Sequence, residues 1–117
     1  GGLSDINATK GRIVIGARCD IASFVAINAG DTHLRAIGLA EEPGAGDIEI
    51  GDHVFIGSHS VVMGGARIGH HSVVGAGTIV RPVEIPPYSL VVGNPMVIKP
   101  GYYKERARPG DSKAEKT

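Results

Sequence analysis

One spacing governs this sequence: an aliphatic residue returns at every sixth position through most of its length. Counted from that residue, the central stretch reads Ile50-Gly-Asp-His-Val-Phe, Ile56-Gly-Ser-His-Ser-Val, Val62-Met-Gly-Gly-Ala-Arg, Ile68-Gly-His-His-Ser-Val and Val74-Gly-Ala-Gly-Thr-Ile, with Val80 opening another hexad. An upstream block keeps the same phase as Ile15-Gly-Ala-Arg-Cys-Asp, Ile21-Ala-Ser-Phe-Val-Ala and Ile27-Asn-Ala-Gly-Asp-Thr. A helix needs an apolar residue every three or four positions and a half-buried strand needs one every second. A sandwich alternates at two between longer, irregular turns. None of these counts in sixes.

A repeat of this period reads as a short strand followed by a tight turn. The first position sends its aliphatic group into a narrow interior. The fifth also points inward, beside the turn, and is small or β-branched throughout: Cys19, Val25, Val54, Ser60, Ala66, Ser72 and Thr78. The glycine common at the second position marks a place where backbone crowding or unusual dihedrals exclude a Cβ. Three hexads close one triangular coil, and coils stack through parallel ladders, with Ser58 under Ala76 and His53 under His71. Composition agrees, since 42% of the 117 residues are apolar although the chain has no Trp, two Phe and three Tyr. The interior is therefore built from small aliphatic residues, many of them β-branched strand formers.

Charge excludes some partners. Twelve basic and twelve acidic residues give no net charge, and so no electrostatic reason to bind nucleic acid or an anionic membrane surface. No apolar run is long enough to span a membrane. Cys19 is the single cysteine, which excludes an intrachain disulfide and agrees with a reducing compartment.

The phase breaks twice. Residues 34–47, LRAIGLAEEPGAGD, lose it around Pro43-Gly44-Ala45-Gly46 and are expected to form an external loop. After Val80 it fails again, and Pro82, Pro86 and Pro87 cannot donate ladder hydrogen bonds, so the chain is expected to leave or cap the stack there. A last strand is expected around Leu90–Val92 and a fragment of helix in residues 102–108. The expected organisation is a lead-in over 1–12, a β-helix domain over 13–98 and a C-terminal extension over 99–117 with a disordered tail.

Residues 13–33 and 48–80 resemble the hexapeptide-repeat, left-handed parallel β-helix, here with about four coils. Residues 74–99, VGAGTIVRPVEIPPYSLVVGNPMVIK, are similar to the C-terminal signature of hexapeptide acyltransferases, close to the sugar and antibiotic O-acetyltransferase group, with one extra residue within Arg81–Ile85. The resemblance implies an all-β cytoplasmic homotrimer that uses acetyl-CoA and no metal. It would acetylate a hydroxyl or amine of a sugar or nucleotide-sugar, in bacterial surface-polysaccharide synthesis.

It also implies site residues. The family's catalytic histidine ends a coil just before an external loop, and His33 matches that place. A hydroxyl is a poor nucleophile at neutral pH, so a placed imidazole must take its proton as it attacks the thioester, which supplies roughly a hundred- to ten-thousandfold in rate. Asp31 is the neighbouring carboxylate that would fix the imidazole tautomer, and Asn28 a donor or acceptor-binding group. For acetyl-CoA, Ser58 and Ala76 match the small residues of the family's cofactor groove, and Phe55 stands where many relatives carry Trp. Lys99 and Arg81 are the candidates for pairing with phosphate.

The remaining histidines read as solvated turn residues: His53, His59 and His71 at fourth positions, His70 at a third. His53 and His71, stacked one coil apart, are placed to line a cleft between subunits. Two other readings stand beside the acetyltransferase. A gamma-carbonic-anhydrase-like zinc enzyme needs converging imidazoles, but the family's ligand pair lies five residues apart and no such pair occurs here. A non-catalytic trimerisation module would use the same fold without chemistry.

Overall fold

The computed structural model describes residues 4–8, 11–30, 36–39 and 46–105. They form a left-handed parallel β-helix of three faces. Face A stacks β1 (Asp5–Asn7), β4 (Ala26–Asn28), β7 (Val61–Val62) and β10 (Ile79–Val80). Face B stacks β2 (Ile13–Ile15), β5 (Ile48–Ile50), β8 (Arg67–Ile68) and β11 (Glu84–Ile85). Face C stacks β3 (Asp20–Ile21), β6 (Phe55–Ile56), β9 (Val73–Val74) and β12 (Leu90–Gly93), and is closed by β13 (Met96–Lys99), antiparallel to β12. The chain visits the faces in the order A, B, C, so each coil is one strand from each. Residues Asp5–Asn7 of the lead-in already pair with Ala26–Asn28.

The period of six sets the interior. Ile27, Ile56, Val62, Val74, Val80 and Val91, all first positions or their equivalents, are fully buried, each contributing about 1.5–3 kcal/mol on area grounds. Fifth positions line the same interior beside the corners. There the buried hydroxyls are all bonded: Ser60 Oγ donates to the Gly75 carbonyl at 3.0 Å and Thr78 Oγ1 donates to that same carbonyl at 2.6 Å.

The corners divide two duties that the sequence suggested for one glycine. At second positions the constraint is contact between coils: a Cβ on Gly57 would lie 2.5 Å from the Ala76 nitrogen. Left-handed backbone falls instead on the fourth positions, where φ is 58° at Arg18, 61° at Phe24, 57° at His53, 62° at His59, 59° at His71 and 61° at Tyr88. Glycine fills this place at Gly30, Gly65 and Gly77. Histidine is among the non-glycine residues enriched in this region, which is a physical reason for histidines at these turns.

The second break in phase is shorter than the sequence suggests. Ile85 and Val91 are buried and pair with Ile68 and Val74, so a fourth coil is completed with one residue fewer. Its prolines fit because it is the terminal coil. Second-position N–H groups bond to the next coil up, as Gly51 does to Ile68 and Gly69 to Ile85. Pro86 occupies the same place above them, directly after edge strand β11, where no further strand needs a donor. Of the helix expected over 102–108, residues 102–105 form turns and 106–108 lie outside the described residues.

Candidate active site

The external excursion springs from the corner between faces A and B. Its two ends meet: the Gly30 N–H donates to the Gly46 carbonyl at 3.1 Å. Asp47 then pins the return, its carboxylate accepting from the Arg12 N–H at 2.9 Å and its carbonyl from the Gly65 N–H at 3.0 Å. His33 and Asp31 lie outside the described residues, just beyond Gly30. Asn28, the last residue of β4, is exposed immediately before this junction.

Beside Asn28 runs a groove of about 400 Å³, lined also by Gly30, Val61, Met63, Gly64 and Arg81. The structure thus brings Asn28 and Arg81 together. The signal that could have found this groove was the run of small residues Gly64 and Gly65 below Arg81 at the same corner.

The other candidate residues stand elsewhere. Phe55 is 39% exposed on face C, between Asp20 and Val73 on the neighbouring strands. Ser58 and Ala76 stack at the corner between faces C and A, where the Gly77 N–H donates to the Ser58 carbonyl at 2.9 Å. Lys99 extends from β13 on face C, with Nζ 5.9 Å from the centre of the Tyr102 ring. Phe55, Ser58, Ala76 and Lys99 therefore share one side of the chain, while Arg81 is at a different corner.

Residues 47–82 match the family model described as bacterial transferase hexapeptide, six repeats. The chain belongs to the hexapeptide-repeat acyltransferase family. Among relatives of this hexapeptide-repeat chain, a chloramphenicol acetyltransferase of Escherichia coli is 35% identical over 103 residues, covering 72% of this chain and 49% of that one. Two solved structures share its fold. One is described as a galactoside acetyltransferase in complex with coenzyme A, with a TM-score of 0.66, 29% identity, and coverage of 93% of this chain and 60% of that one. The other is a maltose O-acetyltransferase from Clostridium difficile, with a TM-score of 0.63, 27% identity, and coverage of 85% and 59%. The chain spans about half or less of the length of the curated relatives it matches.

The other histidines of this acyltransferase-family chain form ring stacks at its corners. Phe24 and His59 stack at 5.0 Å. At the corner between faces B and C, His71 is sandwiched between His53 at 4.7 Å and Tyr88 at 4.9 Å, and His70 meets His71 edge-on. Partial burial, followed by the neighbouring His53 and His70, lowers the pKa of His71 below the ordinary value of 6.5, and Asp52 opposes them. Among the described residues, no three His, Cys, Asp or Glu side chains converge on a point that could hold a metal ion, and no helix is long and apolar enough to cross a membrane.

Proposed function

We propose that this chain is the β-helical part of an acetyl-CoA-dependent acetyltransferase acting on a hydroxyl or amine of a sugar or nucleotide-sugar. The observation that carries this reading is the junction at Gly30 and Gly46. It brings Gly30 and Gly46 together beside a groove that presents Asn28, and His33 follows Gly30 by three residues in the sequence. The likeness to a galactoside acetyltransferase with coenzyme A supports the donor and the acceptor class.

In this reading the chain's own residues do three things. His33 accepts the proton of the acceptor hydroxyl or amine as it attacks the acetyl thioester. Asp31 holds the imidazole in the tautomer that leaves its other nitrogen free. Asn28 orients the acceptor or donates to the carbonyl oxygen as charge develops there. Acetyl-CoA, when bound, supplies the activated acetyl group. Phe55 fits it as an exposed apolar wall, and Ser58 and Ala76 as a small-residue track at a corner where coils stack closely. Lys99 and Arg81 are its phosphate partners.

With Arg81 at the corner between faces A and B and Lys99 at the far end of β13 on face C, a single cofactor is expected to meet both where two coil stacks lie side by side. This favours a homotrimer with its sites between subunits. Ile37 and Leu39 in the excursion, 67% and 73% exposed, give such a neighbour an apolar surface to cover. A cytoplasmic enzyme of bacterial surface-polysaccharide synthesis is the setting this activity fits.

The test is acetyl-CoA binding by calorimetry, together with thiol release in the presence of sugar acceptors. Wild type binds, Lys99→Ala binds more weakly, and His33→Ala binds normally but loses turnover. A well-folded protein with no measurable affinity for acetyl-CoA refutes the reading.

A further inference from the structure

The corner between faces B and C carries a feature that the acetyltransferase reading leaves unused. Successive residues of a strand point to opposite faces, yet at this corner the side chains of His70 and His71 meet. The left-handed backbone at His71, φ 59°, folds the two together until their Nδ1 atoms stand 3.0 Å apart. His71 is held between His53 and Tyr88, and His70 rests edge-on against Tyr88 at 5.3 Å. Both rings are therefore positioned before anything binds.

We propose that His70 and His71 form a surface chelate for a divalent transition metal that favours right-angle coordination, Cu(II) or Ni(II). A neutral imidazole offers one lone pair, and imidazole–metal bonds are about 2.0–2.1 Å long. Two such nitrogens at right angles about one ion are about 2.9 Å apart, and at the tetrahedral angle about 3.4 Å. The observed 3.0 Å matches the right angle, and nitrogen donors in square-planar or tetragonal array select Cu(II) or Ni(II). The remaining coordination positions belong to water or to an external ligand, since among the described residues no third His, Cys, Asp or Glu converges there. The Asn28 groove lies on another face, so this site is separate from the proposed chemistry.

The experiment uses the full chain stripped with EDTA and titrated with Cu(II), and separately with Ni(II), by calorimetry, with electron paramagnetic resonance of the Cu(II) complex. Wild type shows a tightest site with two coupled nitrogens. His70→Gln leaves the left-handed corner residue in place, keeps the fold by circular dichroism, and weakens that site by roughly tenfold or more, at least what losing an outer-shell partner costs. His71→Asn does the same, and His59→Gln, at a corner with one imidazole, leaves the affinity unchanged. Equal affinity in wild type and His70→Gln, or a spectrum with a single coupled nitrogen, overturns the proposal and leaves the two rings joined by a hydrogen bond only.

Discussion

The backbone N–H of Ser89 donates to Oγ of Ser72 at 3.1 Å across a sequence gap of 17 residues, repeating the bond that Thr78 makes to Ser60 at 3.3 Å across 18. Both hydroxyls and both donors are buried, so at these two corners the fifth-position side chain of one coil satisfies the backbone of the next. Ser72→Ala leaves the Ser89 N–H without this acceptor in a dry place. The expected loss is about 1–3 kcal/mol, read from the urea midpoint. A midpoint unchanged from wild type counts against the ladder.

Two glycines of one corner, Gly57 and Gly77, answer differently to the same substitution. Gly57→Ala drives a Cβ against the Ala76 nitrogen at 2.5 Å, where backbone has to shift. The expected cost is about 1–3 kcal/mol or more, as for overpacking. Gly77 has nothing within 4 Å of a Cβ but sits at φ 71°, so Gly77→Ala costs about 1–2 kcal/mol from conformation alone. Gly77→Asn recovers part of that, whereas Gly57→Asn recovers nothing. Thermal melts of the four variants check the contrast.

Arg81 and Lys99 should complement one another between chains. If one acetyl-CoA takes Lys99 from one subunit and Arg81 from the next, each alanine variant alone binds weakly. Unfolding and refolding the two variants together then rebuilds intact interfaces, roughly a quarter of the total in a random cyclic assembly. Calorimetry should find that fraction of tight sites. Their absence from a properly mixed trimer would place both residues on one chain's site, or neither on any.

Acid should weaken the fold through His71. Burial, His53 and His70 lower its pKa in the folded chain, whereas in the unfolded chain it returns to 6.5. As pH falls, the unfolded state takes up the proton first, so stability is complete above 6.5 and declines below it until the folded His71 is itself charged. Urea midpoints of the EDTA-treated protein at pH 8 and pH 5.5 measure the decline. It should flatten in His71→Asn, a residue that also tolerates the left-handed corner.

The solenoid was legible because its period is neither of those that ordinary elements produce, and a block of three hexads and a block of five repeat it. Stacked pairs such as His53 under His71 followed from arithmetic alone. The left-handed fourth positions were hidden, since Arg18, Phe24 and Tyr88 are not residues that announce positive φ. The last coil was obscured because proline was read by its missing donor, without knowing that Pro86 sits on an edge where no strand asks for one. The candidate site is only partly legible in space: Asn28 and Arg81 meet in a groove, whereas Lys99 stands on β13 of face C, a separation that the spacing of residues along the sequence does not display.

The rings of His53, His71 and Tyr88 are 4.7 and 4.9 Å apart, which is the separation of neighbouring strands and also falls within the range of about 4.5–7 Å for offset-stacked rings. The pitch of the backbone and the attraction between rings agree. Each corner is thus a rack of fixed pitch, in which one outward slot per coil can be refilled while the aliphatic wedge behind it stays as it is. A column of chosen groups can be written along this molecule with residues that tolerate these left-handed slots, and two successive slots of one column already hold histidine.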